Sequence, residues 1–70
     1  MTTVKIIKVL GTSNESWQDA AEAAVENASE TIENIQGVEV HSWTAEVDDG
    51  GIMEYKTTVE VSFPVEETMR

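Results

Sequence analysis

The sequence predicts an α+β fold of order β-α-β-β: a three-stranded antiparallel-type sheet, strand order 1-3-2, wrapped around one helix. Three observations predict it. A short β-branched run, Val4–Leu10, comes first. A stripe of small apolar residues at offsets of three and four follows. Two segments of strict alternation, joined by Asp48-Asp49-Gly50-Gly51, complete the chain. The periods of about 3.6 and 2 residues distinguish a helix from strands.

"VKIIKVL" is apolar on both faces except at Lys5 and Lys8, and Gly11 is expected to end it. The helix is expected from about Asn14 to Asn34. Thr12 with Glu15 fits a capping box, with Ser13 or Asn14 as alternative caps. Trp17, Ala20, Ala21, Ala24, Val25, Ala28, Ile32 and Ile35 make the buried stripe, mostly alanine, so the helix can approach a sheet closely. Glu15, Asp19, Glu22, Glu26, Glu30 and Glu33 form a solvated face with no Lys or Arg among them.

In "GVEVHSWTAEV", Val38 and Val40 point one way, and Gly37, Glu39, His41 and Trp43 the other. The Asp-Gly and Gly-Gly pairs supply the positive-φ positions a hairpin needs. In the last strand Met53, Tyr55, Val59, Val61 and Phe63 share one face, and Glu54, Lys56, Thr58, Glu60 and Ser62 the other. Pro64 is expected to stop it. The helix returns the chain so that the first two strands run parallel with the third between them. One helix covers one sheet face, leaving the other open to a subunit or ligand.

Seventy residues make one domain, 1–70, with an ordered core of about 4–63 and a flexible tail, 65–70. So short a chain buries little on its own, and self-association is the staple left when no Cys is present. The net charge of −10 argues against nucleic acid and anionic membrane surfaces. No run approaches the ~20 apolar residues of a membrane span. The start "MTTVKIIKVLG" has no cleavage-site pattern, so the cytoplasm is the expected location.

The pieces "KVLGTSNESWQDAAEAAVENASETIENI" and "EYKTTVEVSF" resemble the dodecin family, from about Val4 to Phe63. The resemblance implies a hollow spherical homododecamer with helices outside and sheets curving inward. It also implies flavins (riboflavin or FMN) sandwiched in pairs at subunit interfaces, where a Trp stacks on the ring and a Gln bonds its polar edge. Those positions fall on Gly37 and Lys56 here. Glycine offers no ring, and lysine has donors but no acceptor. Some relatives lacking the Trp are associated with calcium, and "SWQDAA" is similar to that branch. Twelve chains would carry 12 × −10 = −120, a charge that salt or cations would have to screen, as in a halophilic source.

Trp43 points the same way as Gly37 but about 20 Å further on. It is read as interface packing or a relocated stacking platform. Lys56 is read as neutralising Glu39 or Glu60, or as a contact to a phosphate or flavin edge. His41 is read as solvated, or as a metal or pH-sensing group. For cations the candidates are Glu39 and Glu60 on the inward face, then Asp48 and Asp49 at the turn. Calcium takes about six to eight oxygens, so other chains, carbonyls or waters would supply most. With one His and no nucleophile beside a base, no enzyme is expected. The reading is ligand or ion binding and storage. Flavin storage and photoprotection through a modified site is the alternative.

Overall fold

The computed structural model describes residues 3–65, in the order β1 (Thr3–Ser13), α1 (Trp17–Ser29), β2 (Gly37–Asp48) and β3 (Gly51–Val65). The sheet order is β1-β3-β2, as expected, with both outer strands antiparallel to β3. Residues 66–70 of the expected flexible tail lie outside the described residues, and Val65 belongs to β3.

Gly11 does not end β1. The strand continues to Ser13, and Gly11 is the point where it passes under the helix. A Cβ there would collide with the Ala20 carbonyl oxygen and crowd Ala24. Ala20, Ala24 and Ala28 are buried, as is Thr57, and Ala24 packs with Val59 and Val61 in the core. The small side chains therefore set how close helix and sheet come. Thr57 donates a hydrogen bond from its hydroxyl to the Trp17 carbonyl oxygen at 2.8 Å, so this polar group inside the layer is satisfied.

The helix starts later than its capping candidates imply. Ser16 is the N-cap, its hydroxyl accepting from the Asp19 amide at 3.0 Å. Ser13 instead shapes the approach, accepting from the Glu15 amide and donating to the Asp19 carboxylate at 2.7 Å. The helix stops at Ser29, short of Asn34, whose φ of 65° belongs to no helix interior. Ile35 still reaches the core.

Asp49 and Gly50 both have positive φ, the signature of a two-residue type I′ hairpin. From that turn the β2–β3 pairing is not uniform. His41 is an extra residue in β2 between Val40 and Ser42, and Met53 an extra residue in β3 opposite the Glu46–Val47 step. The two bulges compensate each other. Partner numbers sum to 99 at both ends of the ladder and to 100 between the bulges, as in Glu39↔Glu60 and Thr44↔Lys56. Pro64 does not stop β3 either, since it pairs with Val4. β2 begins opposite Ser62, so at Pro64 the strand has β1 on one side only. The missing N–H then costs no second ladder.

Candidate functional site

Strand pairing assigns every side chain to a face, because directly opposed residues share one. Thr57, Val59 and Val61 face the helix. The open face carries Ile6, Lys8 and Leu10 from β1, Lys56, Thr58, Glu60 and Ser62 from β3, and Gly37, Glu39, Ser42, Thr44 and Glu46 from β2. Ile6 and Leu10 remain exposed.

Trp43 is not on the open face. It pairs with Thr57, and its ring lies 5.8 Å from that of Trp17. The physical reason is the His41 bulge, which inserts one residue and reverses the alternation counted from Gly37. Trp17 meets Tyr55 edge-on at 4.8 Å, and its indole N–H donates to the Thr44 carbonyl oxygen at 2.7 Å. The three rings form a cluster that ties the helix start to the middle of the hairpin. Trp43 is still 57% exposed, so one of its surfaces is available to a neighbour.

Gly37 opens β2 directly opposite Ser62, and the Gln36 amide extends the pairing by donating to the Ser62 carbonyl oxygen at 2.9 Å. Beside it is a shallow hollow of about 270 Å³, lined by Ile6, Gly37, Val38, Glu39, Glu60 and Ser62. Its lining combines a glycine, two aliphatic side chains, a serine hydroxyl and two carboxylates. Glu39 stands directly across from Glu60, a like-charge pair that disfavours the sheet unless neutralised. Lys8 flanks Glu60 from β1, and His41 Nδ1 is 4.0 Å from its carboxylate.

Lys56 does not neutralise Glu39 or Glu60. Its ammonium donates to Glu46 at 2.7 Å, on the diagonal next to its direct partner Thr44. That hydrogen bond, and then the lysine charge, hold the Glu46 carboxyl below the usual range against a small opposing effect of burial. The same hydrogen bond raises Lys56. Lys56 is six residues before Ser62, about 20 Å along the strand. One chain therefore does not bring Gly37, Lys56 and Trp43 to one ligand. Asp48 and Asp49 lie at the hairpin tip, away from Glu39 and Glu60. Among the described residues no group of three or more His, Asp or Glu converges as a metal site.

Three participants were missed from sequence. Counting pairs back from the Asp49-Gly50 turn brings Lys56 within reach of residues 43 to 46, which is the signal for Glu46. Ile6 was visible only as half of a two-faced strand. Ser62 carries no signal until its partner is known to be a glycine.

The family model for dodecin matches residues 3–66. Calcium dodecin from Mycobacterium tuberculosis is 36% identical over 63 residues, covering 90% of this chain and 89% of the relative. Dodecin from Thermus thermophilus is 33% identical over 64 residues, covering 91% and 93%. Among solved structures, dodecin from Streptomyces davaonensis superposes with a TM-score of 0.88 at 29% identity, covering 94% of this chain and 97% of that one. The crystal structure of the M. tuberculosis calcium dodecin, described as calcium chelating and as having a novel calcium-binding site, gives 0.81 at 32% identity, with 97% of each chain covered. Fold, strand order and sequence agree, and the chain belongs to the dodecin family.

Proposed function

We propose that this chain is a non-enzymatic subunit of a homododecameric hollow sphere that binds or stores a small ligand or ions, with cations held where acidic faces of neighbouring subunits meet. The observation that carries the reading is the Glu39–Glu60 pair, directly opposed on the same open face as Gly37, which we take as the position of the family's stacking ring. Two carboxylates in register ask for a counter-cation, and Lys8 and His41 are the basic groups the fold sets nearby. A divalent ion would need further oxygens from other subunits, carbonyls or water, which ties ion binding to assembly. Similarity to a relative named calcium dodecin supports the ion. No helix among the described residues is long and apolar enough to cross a membrane. Cytoplasmic residence and a high-salt source belong to the same proposal and rest on composition.

Thermal melting in molar monovalent salt tests it. With diffuse screening already complete, millimolar calcium raises the melting temperature further, and Glu39→Gln or Glu60→Gln reduces the rise. No response to calcium at any salt concentration removes the ion from the reading.

A second reading keeps a flavin, riboflavin or FMN, in a modified site for storage and photoprotection. The exposed ring of Trp43 and the aliphatic side chain of Ile6 favour it. Saturable quenching of riboflavin fluorescence by the unmodified protein establishes it, and absence of quenching excludes it.

A further inference from the structure

We infer that Ser62 is a specificity-determining residue of the hollow beside Gly37: its hydroxyl occupies the seat into which a side chain at position 37 would project. The inference rests on the reading of Gly37 as an emptied stacking position. A Cβ built on Gly37 would meet Ser62 Oγ at 2.9 Å, so the hydroxyl must turn out of its place before any side chain fits at 37. Apart from the adjoining residues Gln36 and Val38, Ser62 Oγ is the one atom among the described residues within 4 Å of that Cβ. Gly37 and Ser62 are direct cross-strand partners, so the serine side chain stands beside the bare glycine on the same face. The two residues complement each other: a small residue on β2 leaves space, and a short polar one on β3 fills it. The result is a hollow whose lining includes the polar groups of Ser62, Glu39 and Glu60 where an aromatic plate would lie. Serine thus turns the hollow away from flat apolar ligands, and adding a ring at 37 without changing 62 restores the ring but not its seat.

A four-protein cycle tests this without relying on any ligand. Ser62→Ala deletes the one crowding atom and keeps the Cβ, so it is the mildest probe available. Gly37→Ala adds only a methyl group, which in an unobstructed strand is favoured over glycine. The expected result is that Gly37→Ala lowers the melting temperature when Ser62 is present and leaves it unchanged or raises it in the Ser62→Ala background. Equal shifts in both backgrounds would mean that the two positions do not interact, and the inference falls. Riboflavin quenching then supplies the second readout. Gly37→Trp combined with Ser62→Ala should bind riboflavin roughly tenfold or more tightly than Gly37→Trp alone, the scale of one ring stacked on a flat base. Equal affinity of those two variants overturns the specificity role of Ser62. Coupled melting with no riboflavin binding by either variant has a different meaning. It supports the filled seat and overturns the reading of Gly37 as a stacking position.

Discussion

Lys56 shows how far one residue's role depends on register. The sequence reads it as neutralising Glu39 or Glu60, but the register counted from the hairpin turn sets it opposite Thr44, one diagonal step from Glu46 and several residues from Glu39. The pair it makes with Glu46 has a definite pH signature. Glu46 titrates below the usual carboxylate range when folded, so its contribution is present above that range and lost as pH falls through the lowered value. Lys56 is raised, so its contribution is present at lower pH and lost as pH climbs through the raised value. Replacing Lys56 with Gln should move the Glu46 midpoint upward in a side-chain carboxyl NMR titration. An unmoved midpoint would mean that the pair does not persist in solution. The change in overall stability should be small, because the Glu46 side chain is 61% exposed and water screens it. Gly37 reads in sequence as standing where the family's stacking ring would be, a reading that the riboflavin measurements test. Ser62 was not legible, since crowding at a glycine is a property of two strands and never of one.

At the level of elements, the alternation of β3 and the alanine stripe of α1 were readable because each repeats at its own period. Start and stop points were harder. "GTSNES" contains several residues able to cap, and the choice falls to Ser16 because Gly11 must first carry β1 beneath Ala20 and Ala24. The bulges left no mark, because His41-Ser42-Trp43 continues a formally regular pattern. Their removal makes a clear test. Deleting His41 leaves Val40 and Ser42 adjacent, opposite Val59 and Thr58, which are already adjacent. Every other side chain then keeps its face. The near-UV circular dichroism of the Trp17–Trp43 contact should survive this deletion, while the His41–Glu60 approach is lost. Loss of the aromatic signal would show that the bulge does more than absorb one residue.

The described residues form a long, thin body, 57 × 19 × 14 Å, with a radius of gyration of 14.8 Å against about 11 Å for a compact chain of this length. Among the described residues Val59 and Val61 are the large apolar side chains that are fully buried, whereas Val4, Ile6, Leu10, Val38 and the hairpin-tip residues Val47, Ile52 and Met53 stay exposed. Such a subunit is incomplete alone, and its charge of −10 opposes the association it needs. Light scattering should therefore give a mass near twelve chains in molar salt and smaller species at low salt, where repulsion is unscreened. A stable monomer in molar salt would overturn the assembly. The same exposed surface governs the life of a newly made copy. A lone copy leaves its hairpin tip and apolar side chains exposed, and association that covered them would shield it from proteolysis. Survival would then be a matter of encounter: dilute subunits would be cleaved, concentrated ones would persist, and abundance would climb more steeply than synthesis.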